Sequence, residues 1–143
     1  MAGIYVHIPF CKQSCHYCDF HFSTSIRLKE PMLQAIAQEL RIRKAYMGTA
    51  QVKSIYLGGG TPSLLDTAEL ETLLLLITQH FSLSEAAEIT LEANPDDITL
   101  TKLQDLRAIG INRLSIGIQA FQDSVLRYLN RAHDGKNALN SVK

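Results

Sequence analysis

Hydrophobic and polar positions along this 143-residue chain switch repeatedly between a period of two and a helical period. The segment "GIYVHIP" alternates and stops at Pro9, which predicts a strand of about six residues. Leu33, Ile36, Ala37 and Leu40 then recur at helical spacing, with Pro31 tolerated in the first turn and Gly48 marking the end. "VKSIYL" predicts a second strand that runs into Gly58-Gly59-Gly60. Asp66 is placed to cap the next helix, and Glu69 completes a capping-box pattern. The apolar face of that helix is Leu70, Leu73, Leu74 and Ile77. "EITLEA" predicts a third strand, ended by Asn94-Pro95. A helix over about 99–109 follows, with Gly110 where a left-handed C-cap belongs. "NRLSIGIQ" predicts a fourth strand, and Asp123 is placed to cap a fourth helix carrying Val125, Leu126 and Leu129.

The order βαβαβαβα implies an α/β fold with a parallel sheet and right-handed crossovers. Strand parity then separates two faces. One collects Ile4, Val6, Ile8, Ile55, Leu57, Ile89, Leu91, Leu114, Ile116 and Ile118, and must meet the helices. The other collects Tyr5, His7, Ser54, Tyr56, Gly58, Thr90, Glu92, Ser115, Gly117 and Gln119. A closed barrel fills its interior with bulky branched side chains, and a doubly wound sheet is apolar on both faces. A polar second face is either solvated or a concave surface that holds a polar ligand. In the second case the mouth lies at the C-terminal ends of the strands, where α/β sites sit. The cysteine loop, the glycine run, Glu92 and Gln119 all fall there.

Charge narrows the partners. Fourteen basic residues balance fourteen acidic ones, so there is no basic field for nucleic acid or an anionic membrane. The longest apolar run, Leu73–Ile77, is too short to span a bilayer. The N-terminal "MAGIYVHIPF" carries no Lys or Arg and is broken by His7 and Pro9, unlike a signal peptide.

All three cysteines lie in "CKQSCHYC", as Cys11, Cys15 and Cys18. Three cannot all pair as disulfides, and clustered free thiols point to a reducing compartment, the cytoplasm. The residues alone leave open three free thiols, a zinc site completed by His16, His21 or Asp19, and a four-iron cluster with three protein ligands. The last leaves one iron open to an exogenous ligand.

The C-x3-C-x2-C spacing, after a first strand and with Tyr17 before the last cysteine, resembles the radical S-adenosylmethionine superfamily. "YVHIPFCKQSCHYCDF", "YLGGGTPSLL", "EANPDD" and "NRLSIGIQAFQDSVLRYLNRAH" resemble, block by block, its oxygen-independent coproporphyrinogen III oxidase-like group. Within that group the haem chaperone branch matches best. The oxidases carry a further cysteine two places after the third cluster ligand; here that position is Phe20, in a "YCDF" run that resembles the chaperones.

The resemblance implies cofactors and partners. Cys11, Cys15 and Cys18 would hold a 4Fe-4S cluster, and the open iron would chelate the methionine end of S-adenosyl-L-methionine. The run Gly59, Gly60 and Thr61 would hold that methionine end, and Glu92 would contact the cofactor. Tyr5, Tyr17, Gln119 and Arg131 match further cofactor contacts. Chaperones of this branch bind haem and deliver it to acceptor proteins such as respiratory enzymes, which implies peripheral contact with membrane-bound acceptors. His7, His16, His21, His80 and His133 are all available to haem, and none is singled out. The alternatives are an oxygen-independent coproporphyrinogen III oxidase and an inactive, metal-binding remnant.

A complete (β/α)8 barrel takes about 250 residues. The resemblance implies a partial TIM barrel of six units followed by a C-terminal domain. Residues 1–143 supply four units, so the chain is expected to be the N-terminal part of a longer protein and to self-associate through its last strand. It stops at "NALNSVK", expected to lie a few residues into the next helix.

Overall fold

The computed structural model of the protein describes residues 2–143. Its single sheet has the order β1-β2-β3-β4, with every neighbouring pair parallel. The strands are β1 (Ala2–Ile8), β2 (Val52–Gly59), β3 (Leu83–Ala93) and β4 (Arg113–Ile116). The crossovers are α1 (Lys29–Ile42), α2 (Thr67–His80) and α3 (Leu100–Ala108); α4 (Asp123–Tyr128) and α5 (Gly135–Asn140) follow β4. Parallel neighbours need such crossovers, and sequential order is what short helical connections favour.

Register turns the parity of the sequence into two faces. Tyr5 pairs with Tyr56, Tyr56 with Thr90, and Glu92 with Ser115, so the polar set forms one continuous surface. Behind it, Val6, Ile8, Ile55, Leu57 and Leu91 are buried against Leu70, Leu73, Leu74, Ile77 and Leu106 of the helices. Each such side chain contributes roughly 1.5–3 kcal/mol. Thr90 is fully buried although it belongs to the polar face; its hydroxyl meets Glu88 at 3.2 Å and Arg113 at 3.3 Å.

Local signals in the sequence close the elements. Asp66 and Glu69 form the reciprocal capping box at the start of α2. Gly110 takes φ +99°, with Gly110 N–H donating to Arg107 O at 3.1 Å and Ile111 N–H to Leu106 O at 3.0 Å. Those paired bonds make a Schellman cap, and buried Ile111 and Leu106 supply its hydrophobic contact.

Four boundaries depart from the sequence reading. β3 begins at Leu83 rather than Glu88: Leu83 pairs with Val52 before an irregularity, and regular register resumes at Ser54–Glu88. β4 ends at Ile116, because tight bonds from Ile118 N–H to Ile116 O and from Ala120 N–H to Ile118 O turn the chain out of the sheet. Gln119, at φ 64°, therefore lies in a loop and not on the strand face. Asp123 is the first residue of α4, not its cap; Gln122 holds the cap position, and the Asp123 carboxylate accepts Gly135 N–H at 2.8 Å. α1 closes at Ile42, and a 3₁₀ turn over Arg43–Ala45 precedes Gly48. The expected further helix is α5, capped by Asp134 and Asn137. Among the described residues no helix is long and apolar enough to cross a membrane.

Candidate metal and cofactor site

The cysteine loop leaves β1 along a short parallel track. Cys11 N–H donates to Ser23 O at 3.0 Å, and Ser23 N–H donates to Pro9 O at 2.7 Å. On the other side the end of β2 runs against it, with Gly60 N–H on Ile8 O at 2.9 Å and Thr61 N–H on Phe10 O at 2.7 Å. This approach requires glycine. A Cβ on Gly60 would stand 2.8 Å from Phe10 O and 3.0 Å from Cys11 Sγ. Gly59 takes φ +114°, and a Cβ there would meet the His7 ring at 2.7 Å. Lys12 ties the loop to the turn after β3, pairing with Asp96 at 2.6 Å and with Asp97. Asp97 in turn accepts Ser63 Oγ–H at 2.5 Å.

Arg131 joins the ends of β3 and β4 to the loop. Its Nη1 donates to Cys15 Sγ at 3.3 Å and to Tyr17 Oη at 3.2 Å. Its Nη2 donates to Asn94 Oδ1 at 2.8 Å and to Gly117 O at 2.7 Å. Thr61 Oγ1 lies 3.4 Å from Cys11 Sγ and accepts Asn94 Nδ2–H at the same 3.4 Å distance. Glu92 accepts Tyr56 Oη–H at 2.7 Å and Gly59 N–H at 3.1 Å.

These groups enclose a cavity of about 410 Å³ at the C-terminal ends of the strands. Cys11, Cys15 and Cys18 line it, with Tyr17, Gly59, Gly60 and Thr61 beside them. Glu92, Gln119 and Arg131 line it from the strand ends. Tyr5 is not brought into this lining: it is 58% exposed on β1 and pairs with His7 Nδ1 at 2.8 Å. The sequence reading gave no site role to three contributors, Asn94, Tyr56 and Phe22. Asn94 bridges Thr61 and Arg131, Tyr56 holds Glu92, and Phe20 and Phe22 form an aromatic rim. The parity of Tyr56 with Glu92 was the signal for the second; nothing in the pattern points to the rim.

The radical SAM superfamily model matches residues 5–143. The chain belongs to the radical SAM superfamily. This radical SAM chain is 40% identical to the heme chaperone HemW of Bacillus subtilis, over 100% of its own length and 38% of that protein. It is 38% identical to the oxygen-independent coproporphyrinogen III oxidase of Salmonella typhimurium, over 92% of its length and 29% of the oxidase. Among solved structures, the Escherichia coli coproporphyrinogen III oxidase HemN, described as a radical SAM enzyme, superposes with a TM-score of 0.89 at 34% identity. That match covers 98% of this chain and 33% of HemN. Methylornithine synthase shares the fold, with a TM-score of 0.60 at 14% identity. The four parallel β/α units are thus part of the TIM-barrel-like architecture of the radical SAM enzymes. The chain spans just over a third of the curated chaperone it matches.

The donor set fits the iron–sulfur cluster that the radical SAM family implies. Three thiols from one loop face a single cavity, and the backbone at Gly60 approaches Cys11 where a Cβ would intrude. Among the described residues, no group of three or more His, Cys, Asp or Glu side chains is gathered closely enough to hold a metal ion. The three cysteines line one cavity, and iron–sulfur clusters are held by cysteine thiolates. Burial pushes the Cys11 thiol up, while the Thr61 hydroxyl and the Arg131 cation pull it down. Burial also raises Tyr17 against the pull of Arg131. Tyr56 is raised first by its hydrogen bond to Glu92 and then by burial.

Proposed function

We propose that this chain is the cofactor-binding part of a haem chaperone, which binds haem and passes it to acceptor proteins, respiratory enzymes among them. The observation that carries this reading is Phe20. It lines the cavity two residues after Cys18, 68% exposed, at the position where the resembling oxidases place a further cysteine. A phenyl ring offers apolar surface at the mouth and no thiol, hydroxyl or carboxylate to take part in proton or electron transfer. The 40% identity to the heme chaperone HemW supports the same reading.

In this reading Cys11, Cys15 and Cys18 hold a 4Fe-4S cluster, and S-adenosyl-L-methionine binds beside it. When bound, the cluster supplies electrons and an open iron to that cofactor. The chain's own residues prepare the place. The Arg131 guanidinium, 3.3 Å from Cys15 Sγ, balances thiolate charge in a partly buried setting. Gly59 and Gly60 present backbone without side-chain obstruction, Thr61 adds a hydroxyl beside Cys11, and Glu92 supplies a fixed carboxylate for a cationic group. Tyr56 and Gly59 hold both Glu92 oxygens and so fix its orientation. Gln119 and Tyr17 complete the walls.

A second reading, oxygen-independent coproporphyrinogen III oxidase, draws on the 38% identity to that enzyme and the 0.89 TM-score with HemN. One experiment separates the two. The protein is reconstituted anaerobically with iron and sulfide, titrated with haem by visible absorbance, mixed with a haem-free acceptor, and assayed with coproporphyrinogen III. The chaperone reading expects a haem complex, transfer of haem, and no protoporphyrinogen IX. Product above a cluster-free control reverses the order of the readings.

A further inference from the structure

The C-terminal end of α4 touches the cysteine loop through a residue outside the cavity lining. Asn130 closes the helix at φ 54°, a left-handed conformation that Asn tolerates and most residues avoid. Asn130 N–H donates to Arg127 O at 3.1 Å, and Arg131 N–H donates to Leu126 O at 2.9 Å. That pair of bonds is a Schellman cap. The side chain then reaches across to the loop. Its Nδ2 donates to Ser14 O at 2.8 Å, and its Oδ1 accepts Gln13 Nε2–H at 2.9 Å.

The neighbouring carbonyls engage the same loop. Leu129 O accepts His16 N–H at 3.1 Å, and Tyr128 O accepts His16 Nδ1–H at 2.7 Å. The last carbonyls of a helix lack intrahelical donors. Here the cysteine loop supplies them, and the next residue along the chain is Arg131, on Cys15. Cys11 is held differently, by Ser23 and Thr61 on the β1–β2 side. The two halves of the loop are therefore anchored separately: the first on β1–β2 and, through Lys12, on the turn after β3, the second on α4.

We propose that Asn130 is a positioning residue for the metal-binding loop: its left-handed backbone and two-sided amide lock residues 13–16 to α4 and set Arg131 against Cys15. Only Asn combines the two requirements. Gly keeps the backbone and loses both side-chain bonds. Asp keeps the acceptor for Gln13 but faces Ser14 O with a second acceptor. The inference rests on the cluster reading above for its second readout alone.

The test uses Asn130→Gly and Asn130→Asp, with Gln13→Ala as a variant that leaves the helix cap intact. In the cluster-free chain, NMR measures amide exchange at His16 and Cys11. Loss of hydrogen bonds of ordinary net strength is expected to speed His16 exchange about fivefold in each variant, with Cys11 unchanged. In the reconstituted protein, the EPR line of the reduced cluster is expected to shift or broaden in Asn130→Gly. Unchanged His16 exchange, equal acceleration at Cys11, or an EPR line identical to wild type overturns the proposal. Failure of the wild-type chain to take up iron contradicts the cluster reading instead, while the exchange measurement still decides on the clasp.

Discussion

Tyr56 donates its hydroxyl to Glu92 across 2.7 Å, from the neighbouring strand and three residues before Gly59 of the cavity wall. With Gly59 N–H on the other oxygen, the carboxylate has both ends committed. Glu92→Gln keeps an acceptor for only one of these donors and turns an amide toward the other. We expect a loss of about 1–2 kcal/mol in stability and a Tyr56 phenol that titrates closer to its ordinary value. Denaturant unfolding and ultraviolet titration of tyrosine ionisation check the two parts. An unchanged phenol titration would show that Glu92 does not hold it.

Gly60→Ala should damage the site more than the fold. The added Cβ would meet Phe10 O at 2.8 Å and Cys11 Sγ at 3.0 Å, so the loop must move away from β2. Gly59→Ala adds backbone strain of about 1–3 kcal/mol, because φ is +114°. Iron incorporation per chain is expected to fall severalfold in Gly60→Ala at a melting temperature close to wild type. Full incorporation would mean that the close approach at residue 60 is incidental.

His133 makes stability depend on pH. It is 4% exposed, its Nε2 donates to Ile118 O at 3.0 Å, and burial lowers its pKa, with Arg131 adding to the effect. Ile118 O, Asp96 and Asp134 oppose the shift. The folded state thus favours the neutral ring, while the unfolded chain binds a proton at the ordinary value near 6.5. Stability is therefore full above that value and declines as the pH falls through it. His133→Gln preserves a donor for Ile118 O and does not titrate. Between about pH 8 and about pH 5.5 the wild-type melting temperature should fall more than that of the variant. Parallel declines would remove His133 as the cause.

Both outer strands, β1 and β4, have one unpaired edge within the sheet. β1 is seven residues long and offers a pairing template to a second molecule. Sedimentation across a concentration series should show a rising average mass for the isolated chain. A sharp monomer at every concentration would show that side chains already protect the edges.

Much of this fold is legible because burial is periodic. Ile55 and Leu57 alternate with Ser54 and Tyr56, and the buried stripe Leu70, Leu73, Leu74 and Ile77 turns at helical spacing. Cap chemistry at Asp66 and Gly110 is local and so can be read from neighbours in sequence. The end of β4 could not, since nothing in "SIGIQ" announces that Ile118 and Ala120 bond back to the chain two residues before them. Asp123 shows the same limit: it has the composition of a cap but spends its carboxylate on Gly135, twelve residues later. In the candidate site, residues on strand ends were legible by parity. Tyr5 followed the same parity and stands in register with Tyr56, outside the cavity lining. Asn94 and Asn130 act through partners 33 to 117 residues away, and no period encodes such pairs.

The separation between Cys15 and Arg131 is 116 residues, and this has a consequence in time. A ribosome adds about 5–20 residues per second, so the thiols precede their guanidinium partner by roughly 6–23 s. For that interval the loop has neither the α4 carbonyls nor Asn130 to shape it, and its thiols are open to oxidation. On the cluster reading proposed above, delivery to a fully organised loop follows synthesis of the fourth strand–helix unit, and a nascent chain halted before it holds Cys11 on the β1–β2 side but leaves Cys15 without its α4 anchor.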